Sequence, residues 1–395
     1  MIRVGDFKIE KAEKEAINQV LDSGRISEGR KTREFEEKWA EFVGTKYSIA
    51  LSSGTAALIA GLEAVKHYKN IPNGSNVITS PLTYISTVNA ISLTNLNPVF
   101  VDVDLKTFGI TPESVKRQLD KDSAKLILPV HLMGYACDMD KINKIAEENE
   151  CLVFEDSAQA HGTKYNGKKT GSMSLLSDFS FYIAHNIQAG EMGAINTNDK
   201  EVARLVKKLK TNGRMCDCNV CKRPEGLCAR TNENPNEDFD PRFTHDIIGY
   251  NFKCMDFQAA LAVVQLQRAD EIIKKRQENV KYLNEGLKEH ENILQLPKYS
   301  EDVSYLAYPL MIKNPEVMPR RTLREKLEKK GIETRPLFGC IPTQQPAYSH
   351  LKEEYEGRLP NAEYLGKNAF YIGCHQYLEK KDLDHIVSSF KEIFK

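Results

Sequence analysis

The chain has 395 residues, long enough for about two to three domains at roughly 150 residues each, with 41% hydrophobic and 28% charged residues. That balance excludes a wholly disordered chain, and the cancellation of 55 basic by 55 acidic side chains removes any net field toward nucleic acid or an anionic membrane. The start MIRVGDFKIEKAEKEAI lacks an apolar leader and no later run reaches the ~18 apolar residues of a spanning helix, so the expected compartment is the cytoplasm.

In chain order, β-rich apolar runs fall at Tyr47–Leu51, Asn76–Thr79, Pro98–Asp102, Lys125–Val130, Cys151–Glu155, Asp178–Tyr182 and Ala194–Thr197. Near-continuous apolar strands are covered on both faces. Helical patterns such as Thr55–Tyr68 and Asp138–Asn149 lie between them, and the alternation predicts an α/β fold around a mostly parallel sheet. From Asp256 to about His290 the sequence reads as one long connecting helix, with a break expected near Asn284–Gly286. The division is therefore drawn as 1–255, a large unit with a Cys-rich insert at about 214–245, and 256–395, the connecting helix and a small α/β unit. In the latter, strands are expected at Tyr305–Ile312 and Glu333–Pro336 and helices at Arg320–Lys330 and Lys381–Phe394.

Three segments carry chemistry. Ser52-Ser53-Gly54-Thr55-Ala56-Ala57-Leu58 leads from a strand into a helix, which suits either a phosphate on free backbone N–H groups or an ordinary Ser/Thr N-cap. Val153 to Gly162 (VFEDSAQAHG) places an acid at the C-terminal end of a buried strand, where α/β sheets hold ligands, and a carboxylate there needs a partner. Phe179 to Gly193 (FSFYIAHNIQAGEMG) runs from a strand into a Gly-bounded turn, and His185 taken alone is compatible with a structural histidine.

Together these segments resemble the DegT/DnrJ/EryC1/StrS family of sugar aminotransferases and related dehydratases. Supporting stretches are Gly29–Val43, Ser80–Ala90, His131–Asp140 and Gly249–Gln258. The resemblance implies the fold type I architecture of pyridoxal 5'-phosphate (PLP) enzymes, a cofactor used as PLP or as pyridoxamine 5'-phosphate (PMP), and a site at a homodimer interface. It assigns Asp156 to the pyridine nitrogen, Gly54, Thr55 and Ser180 to the cofactor phosphate, and Asn251 to the partner's phosphate site. Tyr84 is to stack on the ring and Gln159 to sit beside its hydroxyl; the alternative for these two is core packing and a satisfied amide.

At position 185 the family's aminotransferases carry the lysine that binds the cofactor covalently, and this chain has His185. An imidazole forms no stable Schiff base but serves as general base and acid near neutrality. The pattern resembles the PMP-dependent 3-dehydratases of nucleotide-linked 4-keto-6-deoxy sugars, with His185 as base. Phe370 to Gln376 resembles the same branch and points to His375 at the substrate pocket. An aminotransferase using glutamate as amino donor, with its lysine replaced, gives the same sequence, and a noncatalytic regulator is the remaining alternative. Met192 departs from the family's Gly-Glu-Gly-Gly stretch, so the sugar is left open.

Cys216, Cys218, Cys221 and Cys228 place four thiols within thirteen residues. Four thiolates suit a zinc site or a [2Fe-2S] cluster, and chance clustering of reduced thiols is the alternative. The other five cysteines are read as packing residues.

Overall fold

The computed structural model describes residues 1–216, 218, 225, 228 and 240–395. Thirteen strands occur among them: β1 Tyr47–Leu51, β2 Asn76–Thr79, β3 Asn97–Phe100, β4 Leu126–Leu128, β5 Leu152–Asp156, β6 Lys164–Tyr165, β7 Lys168–Lys169, β8 Leu176–Ser180, β9 Gly193–Thr197, β10 Leu294–Gln295, β11 Tyr308–Ile312, β12 Arg335–Pro336 and β13 Ala369–Ile372. Seven form the central sheet in the order β1-β9-β8-β5-β4-β2-β3, all parallel except β9, which runs against both neighbours. The expected mostly parallel α/β sheet is present. The antiparallel β9 is the departure, because the turn 181–192 returns the chain beside β8 without a crossover helix. A second, antiparallel sheet, β10-β11-β13-β12, collects the C-terminal strands.

The long connecting helix is two helices, Asp256–Gln267 and Ala269–Leu287. The break falls at Arg268, whose φ is −105° and ψ 11°, rather than near Asn284–Gly286. There the Arg268 guanidinium pairs with the buried Glu13 of helix Lys11–Asp22, and this ion pair fixes a kink that the sequence pattern does not mark. Helix Arg30–Val43 begins at Gly29 with no side-chain cap of its own. Asp256 caps it from the far side of the sequence, accepting from the Gly29 N–H at 2.8 Å, the Thr32 N–H at 3.0 Å and the Thr32 hydroxyl at 2.6 Å, all buried. Four helix N–H groups need partners wherever a helix starts, and a carboxylate there also meets the positive end of the helix dipole.

One apolar core lies between the sheet and its helices. A second gathers Phe35, Trp39, Phe179 and Phe181, with Trp39 edge-on to Phe179 at 5.0 Å and to Phe181 at 4.8 Å. The chain leaving helix Lys200–Leu209 is closed onto its return by backbone bonds from Asn212 to Tyr250, Met215 to Thr244 and Cys216 to Pro241, which form the base of the Cys-rich insert.

Candidate active site

The strand ends position the site. Ser53 caps helix Gly54–Lys69, its Oγ accepting from the Ala56 N–H at 3.1 Å. A Cβ on Gly54 would stand 2.6 Å from Cβ of Ser180, and one on Gly193 would stand 2.2 Å from the Ser53 carbonyl oxygen. The helix therefore begins pressed onto the ends of β8 and β9, where only glycine fits, and its free N–H groups open beside Ser180. The helix start at Gly54 and Ser180 thus lie side by side, with Thr55 next along the helix.

Asp156 ends β5 and is buried. Its Oδ2 accepts from the Thr87 hydroxyl at 2.7 Å and its Oδ1 from the Ala158 N–H at 3.2 Å. Burial nonetheless raises its pKa, because both donors are neutral and no cation bonds to the carboxylate. A protonated pyridine nitrogen is the kind of group this carboxylate fits. Tyr84 precedes helix Ile85–Leu93, which carries Thr87, so ring and hydroxyl sit on one turn; the Tyr84 ring is 59% exposed and 5.9 Å from Phe338. Gln159 is buried and its Oε1 accepts from the Met133 N–H at 3.0 Å.

His185 lies in the turn between Tyr182 and Gly190, its N–H bonded to the Tyr182 carbonyl at 2.9 Å. Its ring stacks on buried His161 at 5.8 Å and 28°. Among the described residues its Nδ1 has no hydrogen-bond partner. Burial, and then the charge of Arg276, push its pKa down to about 3, so the ring is a neutral imidazole. Arg276 is fully buried; its Nη1 donates to the carbonyls of Tyr305 and Leu306 and its Nε to Gln376, while Nη2 has no partner. Burial is the main cause that depresses His161 and His375, with His185 and then Arg276 adding to it for His161 and Arg276 for His375. His375 is buried rather than open to a pocket, with neither ring nitrogen bonded and its pKa pushed down to about 4 by that burial. Asn251 is exposed, its Oδ1 bonded to Lys253, and its neighbour Phe252 accepts from the Ser52 N–H at 2.8 Å, two residues before Gly54.

The sequence reading missed Thr87, Arg276 and the stacking of His161. Thr87 lies one helical turn from Tyr84, a usable signal; Arg276 reads as an ordinary charged residue on an amphipathic helix.

Cys216 and Cys228 are half-buried and Cys218 is exposed, and Cys221 lies outside the described residues. Among the described residues no three His, Cys, Asp or Glu side chains converge on a metal site, so the zinc and [2Fe-2S] expectations find no support there. No helix among the described residues is long and apolar enough to cross a membrane.

Residues 8–391 match the DegT/DnrJ/EryC1/StrS aminotransferase family. The chain belongs to that family. A dTDP-4-dehydro-2,6-dideoxy-D-glucose 3-dehydratase from Saccharopolyspora spinosa is 30% identical, covering 99% of this chain and 86% of the relative. A GDP-perosamine synthase from Escherichia coli O157:H7 is 33% identical over 97% of this chain and 95% of its own. A solved GDP-4-keto-6-deoxymannose-3-dehydratase with a trapped PLP-glutamate geminal diamine superposes with a TM-score of 0.88 at 25% identity, covering 98% of this chain and 100% of that one. This DegT-family chain is accordingly a PLP- or PMP-dependent sugar-modifying enzyme of fold type I.

Proposed function

We propose that the chain is a PMP-dependent 3-dehydratase of a nucleotide-linked 4-keto-6-deoxy sugar. The observation that carries this reading is His185, a neutral imidazole with an unpartnered ring nitrogen where the family's aminotransferases have lysine. When bound, the cofactor supplies a primary amine and an electron-accepting ring. Asp156, oriented by Thr87 and Ala158, would hold the proton on the ring nitrogen. The N–H groups of Gly54 and Thr55 and the Ser180 hydroxyl would hold the phosphate. Tyr84 would cover the ring, and Gln159 would sit beside its hydroxyl.

His185 acts as base and then as acid. With the cofactor bound, His185 would take a proton at the cofactor's methylene carbon and return one to the departing sugar hydroxyl, so that the hydroxyl would leave as water. Burial and then the Arg276 guanidinium keep the ring neutral before it meets the cofactor. His375 shares that buried cluster, and its role toward substrate is part of this reading. L-Glutamate is the donor that restores the amine form. The reading includes a cytoplasmic homodimer, since Asn251, exposed in one chain, is assigned to a partner's site.

The perosamine-synthase relative favours a second reading, transamination of a ketosugar with glutamate as donor. One experiment separates them: the protein is incubated with PLP, L-glutamate and GDP-4-keto-6-deoxymannose, and products are read by mass spectrometry. A 3-deoxy ketosugar supports dehydration. Nitrogen in the product establishes transamination and overturns the first reading.

A further inference from the structure

Backbone bonds close the neck of the turn that carries His185: the Phe181 N–H donates to the Met192 carbonyl and the Ala189 N–H to the Phe181 carbonyl, each at 2.8 Å. The three residues that follow His185 each donate out of the turn, and each to a different stretch of chain. Asn186 Nδ2 donates to the Ser304 carbonyl at 2.9 Å, the Ile187 N–H to Nδ1 of His161 at 3.4 Å, and Gln188 Nε2 to the Asp6 carbonyl at 3.2 Å as well as to the turn's own Ile183 carbonyl at 2.6 Å. All three are buried, while His185 itself is half-buried. The amide oxygens of Asn186 and Gln188 have no partner among the described residues, so these donations are what orients the two side chains.

The stretches these donors reach are themselves held. The Ser304 N–H donates to the Thr163 hydroxyl oxygen at 3.0 Å, and the next two carbonyls, of Tyr305 and Leu306, accept from the buried Arg276 guanidinium. Tyr305 has a φ of +46°, a left-handed backbone that a bulky side chain rarely adopts, so this stretch keeps its shape because its surroundings impose it. Asp6 belongs to a segment joined to the C-terminal unit. Ile2 donates to Gly331 at 2.7 Å and accepts from Glu333 at 2.8 Å, the Val4 N–H donates to the Glu333 carboxylate at 2.9 Å, and a Cβ on Gly373 would stand 2.1 Å from the Arg3 carbonyl oxygen. The same segment lies against the turn, where a Cβ on Gly5 would meet Cα of Ala184 at 3.6 Å.

We propose that Asn186 and Gln188 are positioning residues for His185, tying its turn to Ser304 and Asp6 so that the place of the imidazole is set by segments joined to the C-terminal unit. The proposal deepens the dehydratase reading and rests on His185 being its base. A lysine at this position is fixed by its covalent bond to the cofactor. An imidazole has no such tether, and its reach depends on where the backbone holds it. Proton transfer needs the donor and acceptor atoms within hydrogen-bond distance, and a displacement of about 1 Å costs on the order of a hundredfold in rate. Without the two amides the turn keeps its closed neck and loses both side-chain ties to the rest of the chain.

The test compares the wild type with Asn186→Leu and Gln188→Leu, which remove the donors at similar volume; Asn186→Ala and Gln188→Ala stand in for a leucine variant that does not fold. His185→Gln lacks the base. Asp199→Ala is the destabilised control, since it uncaps helix Lys200–Leu209 beside Tyr68, at the far end of the helix that begins at Gly54. Each protein is assayed for PMP affinity and, with GDP-4-keto-6-deoxymannose, for kcat and KM, and amide hydrogen exchange of residues 182–188 is followed in the cofactor-free protein. The expected result in both donor-loss variants is a kcat lower by about ten- to a hundredfold, with KM and PMP affinity within about threefold of wild type and exchange in the turn at least about tenfold faster. Asp199→Ala leaves all four unmoved. Wild-type kcat in the donor-loss variants, equal losses of kcat and PMP affinity, or unaltered exchange in the turn overturns the proposal, and a kcat loss confined to His185→Gln leaves the base reading standing without it. A wild type that forms no 3-deoxy ketosugar, or an undiminished rate in His185→Gln, overturns the base reading and the proposal with it.

Discussion

Replacing Gly54 by alanine tests the phosphate cradle with the least chemistry. The new methyl would sit 2.6 Å from Cβ and 3.0 Å from Oγ of Ser180. Carbon atoms settle at about 3.5–4.0 Å, so the helix start and Ser180 must separate by roughly 1 Å. Overpacking costs about 1–3 kcal/mol, partly offset by up to ~1 kcal/mol from alanine's better helix propensity, which leaves a net stability loss of about 0–3 kcal/mol. The larger effect falls on an anion at this helix start. Losing one charge-assisted hydrogen bond costs about 1.5–3 kcal/mol, or roughly ten- to a hundredfold in affinity. The assay compares the affinities of PMP and of pyridoxamine, which lacks the phosphate, with urea unfolding measured in parallel. PMP affinity should fall by that factor while pyridoxamine affinity holds, because Asp156 and Thr87 are untouched. An unchanged ratio of the two affinities, or an equal loss of both, refutes the assignment of Gly54 and Ser180 to the phosphate.

Thr87→Val removes the hydroxyl that holds Asp156 down, so the carboxyl climbs further; PMP binding should weaken about tenfold or more, and increasingly so as pH falls, which calorimetry at several pH values reads out. A histidine depressed in the fold is neutral above its folded pKa, so the His185 ring of the cofactor-free protein should show no protonation between about pH 8 and 5 by NMR; an ordinary midpoint near 6.5 contradicts its burial beside Arg276. Because the unfolded chain binds that proton first, the contribution of His185 to stability is lost as pH drops below about 6.5. Asp256→Ala strips three buried donors at the start of helix Arg30–Val43 and should cost about 3 kcal/mol in urea unfolding, with the remote Asp156 site intact.

The strands of the central sheet were legible because each is a short apolar run bounded by turn residues, but their ends were not: β5 runs one residue past the expected Glu155, to Asp156, and β8 is Leu176–Ser180 rather than Asp178–Tyr182. The direction of β9 was not, since periodicity carries no information about which way a strand runs. The Arg268 kink and the capping of helix Arg30–Val43 by Asp256 join residues more than two hundred positions apart, and no local pattern encodes them. Within the site, Asp156, Ser180 and His185 were found through motif order. What holds the His185 turn was hidden, because Asn186 and Gln188 look the same in the sequence whichever segment their amides reach.

The backbone ladder beneath the Cys-rich insert sets how freely the chain can vary there. Met215 and Cys216 are tied to Thr244 and Pro241 before the insert begins and after it returns, and Asn212 to Tyr250 one step further down. Chain ends already clamped at a fixed separation feel loop length only through closure entropy, about 0.6 kcal/mol for each doubling. The same bonds, with that of the Tyr250 N–H to the Leu209 carbonyl, keep Tyr250, Asn251 and Phe252 in place against the helix that ends at Leu209. The ladder is a socket that fixes where the chain leaves and re-enters beside the strand ends that carry the site.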